Sequence, residues 1–549
     1  MAILQEGCSL FKIQSKDVCF GAINNMKDQV VSVVKELNLS PKEVCSIIPG
    51  LQMCWPEISP WDRKSWRVRI PDKNLRFQPR VKFEPEIERK GKLSLESKLK
   101  RSETQNSEQK LSERNSESSM KILHLSDIHI DPDYTPGASA NCKEPLCCRK
   151  KSTKRTSFWD RRKNKKANYW YTHDVPACDI PEHFIHAAFK HISNTHKDLD
   201  LIYWTGDLPP HNVWEQELMD EHKRLIKLIA DMLKQWFPDT PVHYTIGNHE
   251  SHPVNSFPIH GKSAPLYTAM ADAFQPLTDL QPDELKMFRS KGFYSTLVKP
   301  GFRVVSLNTN LCNNQNFWLL SDIDDPDNSL NFLVSTLEQA ELDEEKVHII
   351  GHIAPGITPD CVKQWSLNYN NIIRRFAPET VTGSFFGHMH VDMFEIITSD
   401  DTQKHPIAIN HLSPSLTTYD GGHPAYRIFK TDENHEINDF WTYISHGTDE
   451  ELDDDTVEPK WKLEYQASEF YKGTPDAERL QNHLKQAFLD ETTFSDFSEI
   501  HWKSLLENYS YEFDKERNST RCYDDIRCKR QFLCPYTSQK SYSECKLFD

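Results

Sequence analysis

Short apolar runs that break off at small clusters of Gly, Asp, Asn and His recur through the middle of the chain. Ile122-Leu123-His124-Leu125 stops at Ser126-Asp127-Ile128-His129, and runs of the same kind predict strands at 121–126, 201–204, 242–246, 303–308, 347–350 and 382–386. Between them, 214–237 carries Leu218, Leu225, Ile229, Met232 and Trp236 at helical spacing and reads as an amphipathic helix. Alternation of this kind predicts an α/β core over residues 120–445. In such sheets ligands gather beyond the carboxyl ends of the strands, and each polar cluster falls there.

The flanks read differently. Val18, Ile23, Val30, Val31, Val34 and Leu37 give a helical repeat within residues 1–58, and Ser40-Pro41 followed by Glu43 reads as a second helix start. Residues 59–85 read as a connector. Residues 86–119 hold almost only Lys, Glu, Ser, Arg and Gln, with Leu93, Leu95, Leu99 and Leu111 as rare exceptions. Such a tract cannot bury enough surface to order itself. Residues 446–549 begin acidic, continue with amphipathic patterns and end in four cysteines, so a stapled helical subdomain is expected.

With 549 residues, two or three domains are expected. A net charge of −15 argues against nucleic acid as a partner, and no apolar run is long enough to cross a membrane as a helix. The first residues lack a basic segment followed by an apolar one, so no signal peptide is visible. The 14 cysteines nevertheless fall in even local groups without zinc-finger spacing: Cys8, Cys19, Cys45 and Cys54; Cys142, Cys147, Cys148 and Cys178; Cys312 and Cys361; Cys522, Cys528, Cys534 and Cys545. Disulfides are the expected use. Sequons at Asn38, Asn508 and Asn518 agree with a secretory-pathway protein, lysosomal or extracellular, whose true N-terminus is expected to lie upstream. Ten Lys/Arg against one acid between Arg149 and Lys166 fit either a solvated loop or a contact with anionic headgroups.

Seven residues from the strand ends are candidate metal ligands: Asp127, His129, Asp207, Asn248, His352, His388 and His390. They come from DIH, GDLPPH, GNH, GH and GHMH. Two divalent ions about 3.5–4 Å apart clamp the attacking and leaving oxygens of a phosphoryl displacement. A carboxylate such as Asp207 can bridge them, and water bound there supplies hydroxide.

This order resembles the calcineurin-like metallophosphoesterases, whose pattern is DxH, GD, GNH, GH and GHxH. GDLPPHNVW, GNHESHPVNSF, NFWLL, HIIGHIAPG and FFGHMHVDMFE, with PLCCR beside Cys142, are similar to the acid sphingomyelinase group. The resemblance implies a two-sheet sandwich flanked by helices, two zinc ions on the seven ligands, and hydrolysis of sphingomyelin to ceramide and phosphocholine. It implies that Tyr419 lines the substrate pocket, and that His211 and His249 sit over the leaving oxygen as candidate general acids. A membrane lipid is then the substrate and a monomer is expected.

The cysteine spacings of 11, 26 and 9 residues in the N-terminal unit resemble the later part of a saposin-type domain. That resemblance pairs Cys8 with Cys19 and leaves Cys45 and Cys54 without upstream partners. Two departures stand out. The first saposin helix is missing, and Gln315 occupies a position where the family tends to carry an acid, so headgroup recognition is expected to differ. Three other readings compete: a sphingomyelinase-like phosphodiesterase for nucleotides or other diesters, a non-catalytic lipid-binding protein, and a purple acid phosphatase. The lipid-binding protein would require lost ligands. The purple acid phosphatase would want a tyrosine where this chain has Pro210.

Overall fold

A computed structural model describes residues 14–46, 59–62, 65–72, 119–153, 165–502 and 526–537, apart from 176, 217 and 357–359. It also describes Gln5, Glu6, Cys8, Leu547 and Phe548. Twelve strands are described: β1 Lys121–Leu125, β2 Leu201–Trp204, β3 Val242–Tyr244, β4 Tyr294–Lys299, β5 Phe302–Ser306, β6 Lys346–Ile350, β7 Val381–Phe386, β8 Met393–Thr398, β9 Pro406–Leu412, β10 Ala425–Thr431, β11 Ile437–His446 and β12 Lys460–Gln466.

They form two six-stranded sheets, ordered β12-β11-β10-β1-β2-β3 and β4-β5-β6-β7-β9-β8. β1, β2 and β3 run parallel, as do β5, β6, β7 and β9. The remaining pairings are antiparallel.

Side-chain alternation decides what each face of β1 and β2 touches. Ile122, Leu201 and Tyr203 enter one apolar core with Phe302, Val304, Ile349 and Phe385 of the opposite sheet. Leu123, Leu125, Ile202 and Trp204 face the other way, onto Leu225, Ile229 and Leu233 of the helix Met219–Trp236 and Phe184 and Phe189 of the helix Glu182–Thr195. Because both faces are covered, β1 is buried almost throughout and reads as a continuous apolar run. Truncating a fully buried member such as Leu225 to alanine costs about 2–5 kcal/mol.

The amphipathic helix begins at Met219 rather than at 214. Residues 213–216 are held instead by the N-terminal helix Lys16–Leu37: Asn25 Nδ2 donates to the carbonyls of Val213 and Glu215, both at 2.9 Å. A Cβ on Gly21 would collide with the Trp214 carbonyl, so this close approach requires glycine. The other side of that helix packs Val30 and Val33 against Phe317 and Leu320 of the NFWLL segment, a short 3-10 turn. A capping box opens the helix Pro41–Ser46, with the Ser40 amide donating to Glu43 Oε2 at 2.8 Å and the Glu43 amide to Ser40 Oγ at 3.4 Å.

β11 ends at His446 and pairs with β12, so the first sheet continues past the expected boundary at 445. Helices Ala477–Leu489 and Glu491–Trp502 follow, and Leu480, Leu484, Phe494 and Phe497 join the central core.

Disulfides link Cys8–Cys19, Cys142–Cys147, Cys148–Cys178 and Cys312–Cys361. Cys534 is also disulfide-bonded. Cys522, Cys545, Cys54 and the side chains of Cys45 and Cys528 lie outside the described residues, as do Asn508, Asn518 and the expected linker up to residue 118. Asn38 is exposed at the helix end with left-handed backbone. Among the described residues no helix is long and apolar enough to cross a membrane.

Candidate metal centre

All seven candidate ligands sit just past the carboxyl ends of β1, β2, β3, β6 and β7. Five of them have left-handed backbone: Asp127 (φ 50°), His129 (43°), Asp207 (63°), His388 (72°) and His390 (56°). Such conformations cost on the order of 1–3 kcal/mol each and persist only where surrounding structure enforces them. Glycine makes the enforcement possible: a Cβ on Gly206 would strike the Gly247 amide, and one on Gly387 would strike Ser126 and Asp127.

The side chains gather into two neighbouring sets. Asp127, His129 and His390 form one, and Asp207, His352 and His388 the other; within each set the ligand atoms lie within 4.8 Å of one another. Asp207 Oδ2 stands between the sets, 3.6 Å from His129 Nε2 and 3.1 Å from His352 Nε2. Asn248 Oδ1 completes the second, 2.8 Å from His352 Nε2.

The donor chemistry fits divalent cations. His129 Nδ1 donates to the Pro209 carbonyl and His352 Nδ1 to the Thr205 carbonyl, both at 2.7 Å. Their Nε2 lone pairs therefore face inward, the arrangement that outer hydrogen bonds impose on ligating imidazoles. His129 Nε2 and His390 Nε2 lie only 3.2 Å apart, a convergence of lone pairs and carboxylates that a shared cation resolves. Imidazole, carboxylate and amide oxygen without thiolate suit zinc, manganese or iron.

Several acids that the sequence reading does not single out support these groups. Glu250 accepts from the amides of Leu208 (2.8 Å) and Asp207 (3.2 Å), and burial together with the Asp207 charge pushes its carboxyl up to about 8. Asp420 lies 3.2 Å from His390 Nδ1. Asp360 lies 3.3 Å from His388 Nε2, and Gln315 reaches Asp360 at 3.5 Å while accepting from Asn255 at 3.1 Å. Gln315 thus belongs to the hydrogen-bonded chain behind His388. Adjacency was the available signal for two of these acids: Glu250 follows the GNH motif and Asp420 follows Tyr419.

The two candidate acids are not equivalent. His211 Nδ1 lies 2.9 and 3.0 Å from the Asp179 carboxylate, which also accepts from the His211 amide and from Thr417. Burial would raise the Asp179 carboxyl, but the His211 charge and its hydrogen bonds hold it below the usual range. Tyr419 stacks flat on His211, with ring centroids 3.6 Å apart, and donates to the Pro145 carbonyl. His249 packs 4.6 Å from His211 and 4.8 Å from His129, and burial pushes its imidazole down to about 3.

Among the described basic residues between Arg149 and Lys166, Arg149 and Lys165 are committed to acids elsewhere, and Lys151 lies 3.6 Å from Glu215. Arg149 is buried and bidentate on Asp131 at 2.6 and 2.7 Å. Lys165 lies 3.1 Å from Asp449. Residues 154–164 lie outside the described residues.

Clustered strand-end histidines and carboxylates are the arrangement of a calcineurin-like phosphoesterase, and the model of that family matches residues 120–392. The chain is 36% identical to the sphingomyelin phosphodiesterase of Bos taurus over 86% of its own length and 69% of the bovine protein. It is 30% identical to sphingomyelin phosphodiesterase 2 of Caenorhabditis elegans, over 99% of this chain and 83% of that one. A human protein, cyclic GMP-AMP phosphodiesterase SMPDL3A, is 27% identical over 77% and 89% of the respective lengths. The chain belongs to the sphingomyelin phosphodiesterase family, and divalent metal use follows from its matched domain and its ligand clusters.

Proposed function

We propose that this chain hydrolyses sphingomyelin to ceramide and phosphocholine, with zinc as the metal and His211 as the general acid. The observation that carries the reading is the meeting of six candidate ligands in two adjacent clusters, with Asn248 beside His352, in a chain whose relatives are sphingomyelin phosphodiesterases. Two bound divalent ions supply Lewis acidity towards the phosphoryl oxygens and an acidified water.

The protein's own residues do the rest. As oxygen adds to phosphorus, the bond from phosphorus to the ceramide oxygen breaks. That oxygen is a poor leaving group unless protonated, and a positioned acid contributes ~10²–10⁴-fold. His211 is chosen because Asp179 fixes its ring through Nδ1, which leaves Nε2 to deliver the proton. Tyr419 holds the opposite face of that ring. His249 has no such carboxylate support, and its amide instead donates to Asp207 Oδ1 at 2.8 Å.

A nucleotide-like diester is the second reading, favoured by Gln315 in place of the family's acid and by the human relative named as a cyclic GMP-AMP phosphodiesterase. Disulfides and sequons support a secretory-pathway location, lysosomal or extracellular, and residues 150–164 support contact with anionic membranes. One assay tests the proposal: phosphocholine released from sphingomyelin against p-nitrophenol released from a nucleotide-like ester, in metal-stripped enzyme and after zinc is restored. Phosphocholine release that returns with zinc supports it. Turnover of the nucleotide-like ester alone would move the chain to the second reading.

A further inference from the structure

Outside the catalytic pocket, one cluster has ligand chemistry that the phosphodiester reaction does not use. His173, Asp174 and His423 bring one ligand atom each to within 4.8 Å of one another. They come from distant stretches of the chain, YTHD and GGHP, so adjacency in sequence does not account for the meeting. The two imidazoles are stacked, with centroids 4.5 Å apart.

His173 is mostly shielded, with 12% of its side chain exposed, whereas the Asp174 carboxylate is 68% exposed. Asp174 Oδ2 stands 2.7 Å from His173 Nδ1, yet the pair lacks hydrogen-bond alignment, and neither ring nitrogen of His173 has a hydrogen-bond partner. A buried imidazole with both nitrogens unsatisfied is costly, and it is rare without a reason. Lys165 does not compete with a cation here, because its ammonium is held by the His173 carbonyl at 2.9 Å and by Asp449.

We infer that His173, Asp174 and His423 form a further, mononuclear site for a zinc-like divalent cation. Two imidazoles and one carboxylate are three protein ligands of the kinds zinc takes, and solvent beside the exposed Asp174 supplies the fourth. Ligand bonds of about 2.0–2.2 Å require ligand atoms roughly 3.3–3.6 Å apart, so small ring rotations close the cluster. The site's place in the fold gives it a role. His423 lies on the turn that carries Tyr419, stacked on His211, and Asp420, beside His390. A cation here ties that turn to the segment before Cys178 and braces the wall of the catalytic pocket without touching the reacting atoms.

The experiment counts zinc per chain by mass spectrometry on full-length protein saturated with zinc and desalted over a chelating resin. Wild type is compared with His173→Ala and His423→Ala, and with His260→Ala as a control, since His260 is an exposed histidine 3.4 Å from Asp322. The expected result is one ion fewer per chain in each of the first two variants and no change in the control. Should an alanine variant fail to fold, His423→Gln serves for the same count. Equal counts in wild type and the variants, or an equal loss in the His260 control, overturn the site. The readout is a difference of one ion, so it is separate from whether the catalytic pocket holds two.

Discussion

His348 and His352 lie four residues apart, one inside β6 and one just beyond its end, and the protein uses them in opposite ways. His348 is sealed between the sheets, with Nδ1 2.9 Å from the Tyr203 hydroxyl and Nε2 2.7 Å from the His435 carbonyl; burial pushes its imidazole down to about 3. Burial also pulls on His352, but the Asp207 carboxylate outweighs it and carries the group up to about 9. The contrast in charge is particular to this pair, because burial and the neighbouring His211 and His249 also hold His129 well below the usual imidazole range. His124 within β1 and His243 within β3 are buried and pushed down to about 3 and about 4, while His129 and Asn248 beyond those strands face the centre. His124, His243 and His348 inside strands are buried core residues, and His129, His352, His388 and His390 beyond strand ends are candidate ligands. Between His348 and His352 the difference is the Asp207 carboxylate, since both side chains are fully buried.

Breaking the ligand side of this contrast gives the largest expected effect. Asp207→Asn removes the bridge between the two sets and should lower phosphocholine release by more than about 10³-fold, beyond the ~10–100-fold that loss of an outer partner costs. Metal content should fall with it, whereas retained metal with retained turnover would contradict the bridging role. His211→Gln should keep metal but lower sphingomyelin turnover ~10²–10⁴-fold, and the loss should shrink for p-nitrophenyl esters, which leave without a proton. Asp179→Asn acts through His211 and should cost less, roughly 10–100-fold, with the same dependence on leaving group. Equal losses on both esters would remove His211 and Asp179 from proton delivery.

The core side predicts effects on stability. His348→Leu leaves the buried Tyr203 hydroxyl unpaired and should cost about 1–3 kcal/mol in denaturant unfolding, with turnover unchanged. A histidine whose folded pKa is depressed contributes stability at high pH that is lost as pH falls below its unfolded value. For His243 that window runs from an unfolded pKa of about 6.5 down to about 4, with a slope of up to ~1.4 kcal/mol per pH unit. The ring nitrogens of His243 have no hydrogen-bond partners, so His243→Phe should flatten the fall in melting temperature between pH 6.5 and 4. An unchanged slope would mean that His243 is already protonated in the folded state.

How much of this the sequence reveals depends on where each signal lives. The ligands are legible because every strand that carries one is a short apolar run ending in Gly, Asp, Asn or His. β4, β8, β10, β11 and β12 carry no candidate ligand, although His446-Gly447 closes β11 and Asp432 and His435 follow β10. β11 also places Asp439, Thr442 and Ser445 among its apolar positions, so its apolar run is too broken to mark it. The helix start shifted from 214 to 219 because the Lys16–Leu37 helix takes up the intervening backbone, a tertiary contact that local periodicity cannot encode. Asp179 is 32 residues from His211 and Thr417 is 238 residues from Asp179, so the support behind the candidate acid exists only once the chain is folded.

Anomalous diffraction from zinc-loaded crystals tests the central claim most directly. Two peaks about 3.5–4 Å apart should appear in the strand-end pocket. One should be bounded by Asp127, His129, Asp207 and His390, the other by Asp207, Asn248, His352 and His388, with no density beside His124, His243 or His348. A single peak in that pocket, two peaks that do not share Asp207, or a peak at an intrastrand histidine would contradict it.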